Sequence, residues 1–319
     1  MPTLQDVCSA RERLSGKVHR TPLMYSTTLS KLSGNEIYLK CESLQKTGSF
    51  KIRGALNAVS QLSPSEQARG VVTGSSGNHG QALAYAASLL GVNCVVVMPE
   101  DASLAKREAC AAYGGTVLLC GMTAEARLAK AAELVANAGY TLVHPFDDPH
   151  IIAGQGTISL EVLEDLPDVD CILTPVGGGG LLGGVSLAMK ESNPRVHVVG
   201  VEPAVGARLR HAWNVGVVAE LGDDAWVPSV ADGLRARRPG ELPFALSRTY
   251  VDDLVTVTES EIAAALKLIL ERVKLVVEPS GAVSVAAALG GKVGRAGKKV
   301  VCVLSGGNAE LAKLAMLCR

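Results

Sequence analysis

The feature that most constrains the fold of this chain is the alternation of short apolar runs with helical segments. Nine runs of three to six residues, rich in Val, Ile, Leu and Cys, predict buried strands. They are residues 37–41, 70–73, 94–98, 117–120, 141–143, 171–175, 196–201, 254–257 and 299–304. Helical patterns lie between many of them, for example over 124–138 and 261–273. Strands that alternate with helices form mainly parallel sheets covered by helices, so the sequence predicts an α/β fold.

Composition excludes several classes of partner. Lys plus Arg and Asp plus Glu number 31 each, so we expect no nucleic acid or membrane partner. The first residues, MPTLQDVCSARERL, lack an apolar signal segment, and no apolar run approaches the ~20 residues of a membrane helix. The eight cysteines form no CxxC pair and no metal-ligand spacing with the six histidines. These features predict a cytoplasmic protein with reduced thiols.

A lysine lies where a turn becomes a helix, in KTGSFKIRGALNAV at residues 46–59. Gly48 and Ser49 interrupt the preceding run, and Ser49 is expected to cap the helix. Lys51 would then lie in the first helical turn, where the helix dipole disfavours positive charge and lowers the pKa of the amine. Such an amine is a better nucleophile, as a lysine that reacts with an aldehyde must be. The alternative is an ordinary surface lysine near a helix start.

Three predicted strands end in unusual sequences, and ligands bind at the carboxyl ends of parallel strands. The first, GSSGNHGQALAYAA at 74–87, combines small residues with a helix start, which predicts an anion site. Ser75, Ser76, Asn78 and His79 add side-chain donors there. The alternative is a tight capped turn without a ligand.

The second and third strand ends are rich in glycine. PVGGGGLLGG, at 175–184, has four consecutive glycines, which carry a large cost in conformational entropy on folding. Close approach of the backbone to a phosphate is the best explanation for their presence. These glycines also match G-x-G-x-x-G, with Glu202 near the spacing of a ribose ligand, so an NAD-dependent oxidoreductase is the competing interpretation. The third, LSGGN at 304–308, places Ser305 where it could bind a ligand or cap a helix.

A reactive lysine, an amide cradle for a phosphate and a partner for a ring nitrogen are the groups that pyridoxal phosphate needs. The motifs KTGSFKIRG, SSGNHGQ, PVGGGGLLGG, EPSGA and LSGGN, in this order, resemble those of the serine/threonine dehydratase and serine racemase family. The resemblance implies the tryptophan-synthase-β-like fold, which has two parallel-sheet domains and the cofactor in the cleft between them. It further implies a large domain of residues 1–68 and 146–319 and a small mobile domain of residues 69–145.

The resemblance also implies a role for each matching residue. Lys51 would hold the cofactor aldehyde and act as the base on one face, with Ser76 as the acid or base on the other. The residues implied to contact the cofactor are Phe50, Lys51, Asn78, Gly177, Gly178, Gly179, Gly180, Gly233, Glu278 and Ser305. The residues implied to bind the substrate are Ser75, Ser76, His79 and Arg127. The four consecutive glycines would cradle the phosphate, Asn78 would bond to the phenolic oxygen, and Ser305 would meet the pyridine nitrogen.

The implied activity is that of an ammonia-lyase, or dehydratase, which converts L-threonine or L-serine to a 2-oxo acid and ammonia by α,β-elimination. Serine racemase with side elimination is an alternative, because the family's racemases carry serine at the position of Ser76. The HPFDDP segment at 144–149 resembles the dehydratases instead, with Phe146 where animal racemases carry asparagine. A hydroxyaspartate ammonia-lyase, with Arg127 on the acidic substrate, is a further alternative. A relative that binds the cofactor without turnover is the non-enzymatic one.

Regulation and assembly are expected to be simple. The chain ends at Arg319 without the amino-acid-binding region of biosynthetic threonine dehydratases, so we expect no feedback by isoleucine. Lys46, Lys274 and Asn308 match positions near the nucleotide site of racemases, a match too sparse to predict binding. We expect a homodimer that acts on a small amino-acid substrate.

No metal is expected in this chain. Many members of the family bind Mg²⁺ or Ca²⁺ after the strand that ends here in VVGVEP, through a glutamate, a backbone carbonyl and an aspartate. The matching residues here are Glu202, Gly206 and Arg208. A guanidinium has no lone pair and is always cationic, so Arg208 cannot replace the aspartate as a ligand. We expect Arg208 to supply the positive charge itself by pairing with Glu202.

Overall fold

The computed structural model of the protein describes residues 1–75, 77–122, 124–222, 227–294 and 296–318. Its strands are β1 Leu23–Tyr25, β2 Glu36–Lys40, β3 Val71–Gly74, β4 Cys94–Met98, β5 Thr116–Leu119, β6 Thr141–Leu142, β7 Cys171–Pro175, β8 His197–Pro203, β9 Asp253–Val257 and β10 Lys299–Val303. The helices of the first half are α1 Leu4–Leu14, α2 Thr27–Ser33, α3 Lys51–Val59, α4 Pro64–Arg69, α5 Asn78–Leu89, α6 Leu104–Ala112, α7 Ala124–Ala138 and α8 Pro149–Asp165. Those of the second half are α9 Gly180–Ser192, α10 Arg208–Val215, α11 Glu241–Tyr250, α12 Glu259–Leu268, α13 Pro279–Leu289 and α14 Leu311–Leu317.

The strands form two sheets. The larger has the order β1-β2-β10-β7-β8-β9 and is parallel except for β1, which runs antiparallel at one edge. The smaller has the order β5-β4-β3-β6 and is entirely parallel. The predicted α/β fold with parallel sheets is confirmed, and each of the nine predicted strands is present with its ends within two residues of the prediction. Strand β1 was not predicted, because its three residues, LMY, are too few to show a strand period.

The predicted helices are also present, with one local change. The helix predicted over 261–273 begins earlier, as α12, and its last turn, Ile269–Val273, widens into a π-turn. That turn ends at Lys274, whose φ of 66° lies in the left-handed region. None of the helices in the described part of the chain is both long and apolar enough to cross a membrane.

Helix α3 lies between the two sheets. Its residues Ile52 and Leu56 share one buried cluster with Val71 of β3, Leu83 of α5 and Ile151 of α8. The smaller sheet therefore completes its core with side chains from α3 and α8, and the helix that carries Lys51 contacts both halves of the molecule. The division into domains at residues 69 and 145 stays a prediction, because this buried cluster contains residues from both sides of the predicted boundaries.

Glycines bring α3, α8 and α9 into direct backbone contact. A Cβ atom on Gly154 of α8 would lie 2.6 Å from the Cα of Gly54 on α3. A Cβ on Gly184 of α9 would lie 2.2 Å from the carbonyl oxygen of Ile152 on α8, and one on Gly156 would lie 2.8 Å from the Gly184 oxygen. No larger residue fits at these crossings, so the spacing of the three helices is set by main chain against main chain.

Candidate active site

Lys51 is the first residue of α3, but Ser49 does not cap the helix. The N-cap is Phe50, without a side-chain cap bond, and Ser49 instead forms an isolated bridge with Gly306 of the LSGGN loop. The Ser49 hydroxyl is buried and has no hydrogen-bond partner among the described residues. The predicted cap at Ser49 is wrong, because pairing with the loop fixes the backbone there one residue too early for a cap.

The side chain of Lys51 is partly buried. Nζ donates a hydrogen bond to the carbonyl oxygen of Pro145 at 2.7 Å and lies 5.2 Å from the ring centroid of Phe50. Within the described ranges, no carboxylate forms an ion pair with it. Burial lowers the pKa of Lys51 to about 8, and Glu278 partly opposes this change. The predicted direction is confirmed, but the cause is removal from water rather than the helix dipole.

We expect Lys51 to be the most reactive lysine of the cofactor-free protein near pH 8. With its pKa at about 8, roughly half of the side chain is neutral there, against less than about 1% for an ordinary lysine. Trace acetylation across pH 7 to 11, read by peptide mass spectrometry, checks this. The rate at Lys51 should level off near pH 9, while free Nα-acetyl-lysine in the same solution continues to gain reactivity. Parallel profiles for the two amines would contradict the lowered pKa.

The four glycines form a tight cradle between β7 and α9. Gly179 has a φ of 94° and is the N-cap of α9, whose first amides have no acceptor within the helix. A Cβ on Gly178 would lie 2.3 Å from the ring of Phe146, and one on Gly180 would lie 2.7 Å from the Phe146 oxygen. A Cβ on Gly177 would lie 3.2 Å from the Cα of Leu234. Only glycine fits this loop, which presents backbone amides at a helix N-terminus as anion sites do.

The residues expected around the cofactor ring converge where β10 ends and where α13 begins. Ser305 is buried, accepts a hydrogen bond from the amide of Phe50 at 3.1 Å, and its hydroxyl lies 3.4 Å from the Ser280 oxygen. The Ser280 hydroxyl accepts from the amide of Gly233 at 3.0 Å. A Cβ on Gly233 would lie 3.6 Å from a carboxylate oxygen of Glu278. These contacts join Phe50, Ser305, Gly233 and Glu278 in one cluster.

Asn78 reaches this cluster from the other sheet. Its side-chain nitrogen donates to Glu278 at 2.8 Å, and its side-chain oxygen accepts from Asn308 at 2.8 Å. Asn308 also donates to the carbonyl oxygen of Thr47 at 2.8 Å. Burial, with Asp232 nearby, raises the pKa of Glu278 to about 8. Asn78 at the start of α5 is thereby tied to the half of the molecule that carries Ser305.

The residues expected to bind substrate lie at the end of β3 and beyond it. His79 is buried, and its Nε2 donates to the carbonyl oxygen of Val143 at 3.1 Å. Burial, together with Lys51, lowers the pKa of His79 to about 3, so the ring is neutral and Nδ1 is an acceptor. The Ser75 hydroxyl accepts from the amide of Gly77, and Arg127 packs against the end of β3. Ser76 lies outside the described residues.

The turn of residues 144–148 connects the parts of the site, a role that the sequence analysis did not assign to it, although it cited the HPFDDP segment as a resemblance. Pro145 accepts the bond from Lys51, while Phe146 fills the space beside the glycine cradle. The His144 ring packs edge-on against Phe146 at 4.6 Å, and its Nδ1 accepts from the Asp147 amide at 2.8 Å. One short turn therefore sets the distance between the amine and the cradle.

The same turn also starts two helices. The carboxylate of Asp147 accepts from the first two amides of α11, both at 3.0 Å. Asp148 caps α8 by accepting from the amides of His150 and Ile151 at 2.7 and 3.0 Å. The Asp-Pro step before α8 was the available signal, since an aspartate before a proline in the first turn is typical of a helix start.

These features fit pyridoxal phosphate. The cradle of Gly177–Gly180 accepts no side chain and offers helix amides to a phosphate, while the partly buried Lys51 side chain lacks a carboxylate partner in the described part of the chain. A family model described as pyridoxal-phosphate dependent enzyme matches residues 14–306. The chain belongs to this family, and its cofactor is pyridoxal phosphate.

Three relatives narrow the comparison. The chain is 47% identical to the L-threonine ammonia-lyase of Thermotoga maritima over 98% of this chain and 77% of that protein. It is 43% identical to the serine racemase of Dictyostelium discoideum over 99% of this chain and 97% of that protein. The crystal structure of that racemase has a TM-score of 0.91 and covers 97% of this chain and 99% of its own. The L-threo-3-hydroxyaspartate ammonia-lyase of Saccharomyces cerevisiae is 40% identical over 99% of this chain and 96% of that protein.

The carboxylate of Glu202 is used inside the fold. Its oxygens accept from the amides of Leu209 and Arg210, at 2.9 and 2.8 Å, at the start of α10. Among the described residues the expected ion pair with Arg208 is not formed at contact distance, and the two charges interact only through space. Arg208 is fully buried and donates to the carbonyl oxygen of Leu234 at 2.6 Å instead. A buried carboxylate engaged in this way argues against the ribose ligand of the dinucleotide interpretation.

We expect the protein to be indifferent to divalent cations. Arg208 is buried at the position where the resemblance implies an aspartate ligand, and the described residues contain no group of three or more His, Cys, Asp or Glu that could hold a metal ion. Activity and melting temperature should be the same with EDTA and with added Mg²⁺ or Ca²⁺. Arg208→Asp should make both respond to metal. Loss of wild-type activity with EDTA, restored by Mg²⁺, would contradict this expectation.

Proposed function

We propose that the protein is an ammonia-lyase that converts L-threonine and L-serine to 2-oxo acids and ammonia. The observation that carries the proposal is the closeness of the Lys51 amine to the glycine cradle. The amine donates to Pro145, and the next residue, Phe146, packs against the cradle. The three relatives act on L-threonine, serine and L-threo-3-hydroxyaspartate by their names. Each of these compounds is a 2-amino acid with a hydroxyl on C3, so the substrate class is the 2-amino-3-hydroxy acids.

Lys51 is proposed to do two tasks. Its nitrogen would hold the cofactor through the aldehyde group, and the same nitrogen would take the Cα proton of the substrate. A pKa of about 8 supports both, because a large neutral fraction is present near physiological pH. When bound, the cofactor supplies an electron sink for the pair left at Cα. The amine donates a hydrogen bond to Pro145, and a single amine held in one place would transfer protons to one face of the substrate carbon.

The remaining residues are proposed to bind and orient. The amides of Gly177–Gly180 hold the phosphate, Phe50 packs on the ring, and the hydroxyl of Ser305 meets the ring nitrogen. Asn78, Gly233 and Glu278 line the ring. The neutral Ser305 stabilises a positive ring nitrogen less than a carboxylate would, which favours prompt loss of the β-hydroxyl.

The substrate carboxylate is proposed to bind at the end of β3. Ser75, Ser76 and the first amides of α5 would supply donors for it, and Arg127 packs against Gly74 at the end of β3. The neutral His79 contributes an acceptor at Nδ1, which suits a hydroxyl or ammonium hydrogen rather than the carboxylate itself.

A substrate panel tests the proposed reaction. The purified enzyme loaded with pyridoxal phosphate is given L-threonine, L-serine, D-serine and L-threo-3-hydroxyaspartate, and both 2-oxo acid and enantiomer are measured. Elimination from L-threonine and L-serine should exceed racemisation. Racemisation of serine as the main reaction, or activity confined to hydroxyaspartate, would replace the proposal by the corresponding alternative. The absence of any bound yellow chromophore would overturn the assignment of the site.

Serine racemisation is the second candidate, since the racemase relative covers nearly the whole chain. Lys51 reaches one face of Cα, so a second group must serve the other, and Ser76 is the residue proposed for it. We expect Ser76→Ala to reduce racemisation by about 10²-fold or more and to leave L-specific elimination within a few fold. Unchanged racemisation in this variant would remove Ser76 from the role. Ser75→Ala is the neighbouring control.

We propose the oligomeric state and the cellular compartment of the protein from its exposed apolar side chains and its free cysteines. A homodimer is supported by the large apolar side chains that α14 exposes, Leu311 and Met316. A reducing, cytoplasmic compartment is supported by eight free cysteines. Residues 69–145 are proposed to move as a small domain, since they contain the whole smaller sheet. Analytical ultracentrifugation checks the dimer.

A further inference from the structure

Four charged side chains are buried together behind α3. Lys40 and Glu42 are 0% exposed, Arg53 is 1% exposed and Glu161 is 8% exposed. Two cations meet two carboxylates, so the cluster carries no net charge. We call these four residues the buried charge network.

The network is fully hydrogen-bonded through Arg53. Its Nε and Nη2 donate to the two oxygens of Glu42, both at 2.8 Å. Its Nη1 and Nη2 donate to the two oxygens of Glu161 at 2.6 and 2.9 Å. Lys40 adds a bond of 2.6 Å to Glu161. Although burial opposes it, the pKa of Glu42 is lowered, because Arg53 lies beside it.

The network joins elements that are distant in sequence. Lys40 ends β2, Glu42 follows it in a short 3₁₀ turn, Arg53 belongs to α3 and Glu161 to α8. Two carboxylate forks on one planar guanidinium fix both its position and its orientation. Apolar contacts, such as those of Ile52 and Leu56 with α5, are not directional and constrain the position and orientation of a helix less.

The cost of this arrangement indicates that it serves position rather than stability. Buried ion pairs recover little more than the desolvation of their charges, and apolar replacements are often at least as stable. Arg53 follows Lys51 by two residues, which places their side chains about 200° apart around α3. The network therefore binds the face of α3 that is opposite to the face carrying the Lys51 amine.

We infer that the buried charge network fixes the position of α3, and that Arg53 is a positioning residue for the Lys51 amine. This inference rests on the proposed role of Lys51. The neutrality of the buried charge network matters for this role, because an unbalanced charge behind α3 would act on the Lys51 amine through a core of low dielectric constant. In the described part of the chain the Arg53 guanidinium donates to Glu42, Glu161, Thr157 and the His19 carbonyl oxygen, so we expect it to act on the amine through the helix.

Conservative variants test the inference. Arg53→Lys keeps the charge but loses the double fork, Glu161→Gln unbalances the network, and Lys40→Met with Glu161→Gln restores the balance. Arg20→Gln is the matched control, because Arg20 forms half-exposed ion pairs with Glu164 and Asp165 at the rim of a cavity of about 250 Å³ that also reaches Arg53. Each protein is examined for amide hydrogen exchange of α3 without cofactor, for affinity for pyridoxal phosphate, for melting temperature, and for kcat and KM.

A positioning role predicts a definite pattern. Arg53→Lys and Glu161→Gln should speed exchange in residues 51–59 and weaken cofactor binding by at least about tenfold. They should also lower kcat by about 10²-fold with little change in KM, as a displaced catalytic group does. The double variant should lie closer to wild type than Glu161→Gln does. Arg20→Gln should match wild type in every measurement.

A different pattern would overturn the inference. If the Arg53 and Glu161 variants melt earlier but keep wild-type α3 exchange, cofactor affinity and kcat, the network supports the fold alone. Borohydride trapping of the cofactor on wild-type Lys51 is measured separately. Failure of that trapping would refute the proposed role of Lys51, and the exchange of α3 in cofactor-free protein would still decide whether the network fixes the helix.

Discussion

Lys51→Ala is expected to abolish turnover, with a loss of at least about 10³-fold, while the protein remains folded. The substitution removes both the group that binds the cofactor and the base that takes the Cα proton. The side chain contributes one hydrogen bond, to Pro145, and no ion pair with any residue that the structure describes. Steady-state rates, together with mass spectrometry after borohydride treatment, check the result. The label should be absent from residues 46–59 of the variant.

The stability of the cofactor-free variant gives an independent check. The folded pKa of Lys51, about 8, lies below its unfolded value of 10.5, so the folded state disfavours the charged amine. This cost is fully present below pH 8 and disappears as the pH rises through 10.5. Lys51→Ala should therefore melt higher than wild type at pH 7, and the difference should shrink toward pH 10. Lys17→Ala, on an exposed lysine, should show neither effect.

Gly178→Ala is expected to weaken cofactor binding by roughly 10- to 100-fold. The added Cβ would lie 2.3 Å from the ring of Phe146, which the edge of His144 holds at a centroid distance of 4.6 Å. Overpacking of this kind costs about 1–3 kcal/mol, which corresponds to that range of affinity. Titration of the cofactor-free protein with pyridoxal phosphate, followed by absorbance, measures the change.

Gly183→Ala is the matched control for the cradle. It lies in the first turn of the same helix, but the nearest atom to its Cβ would be the end of the Leu246 side chain at 3.2 Å, and the nearest backbone atom, the Pro243 Cα, would lie at an ordinary contact distance of 3.6 Å. We expect its affinity to stay within a few fold of wild type. An equal loss of affinity in both variants would show that the effect of Gly178→Ala is not specific to the cradle.

The site motifs could be predicted because each is local. Lys51, the glycine run and Ser305 lie at the ends of strands with strong apolar patterns, and β4 and β7 have the bounds that the sequence predicts. Ligand sites of parallel sheets lie at such ends, so these residues could be grouped without coordinates. The five motifs in order then identified the family, which the comparisons confirm.

The contacts between distant segments could not be predicted. Arg53 and Glu161 are separated by 108 positions, and in sequence each resembles a solvated charge on a helix. The pairing of Ser49 with Gly306 likewise depends on where β10 meets β2, which no local pattern encodes. The turn at 144–148 was visible only as a resemblance, because its partners are backbone atoms of other elements.

The glycine crossings of α3, α8 and α9 bear on how this sequence can change over time. Side chains in a core can be exchanged for others of similar volume, and the neighbours shift to fit. Main-chain contacts, such as that of Gly154 with Gly54 or of Gly184 with Ile152, leave no such freedom. Descendants of this chain can therefore drift through most apolar positions and gain or lose heat resistance. The gap between amine and phosphate cradle stays the same in all of them as long as these few glycines persist.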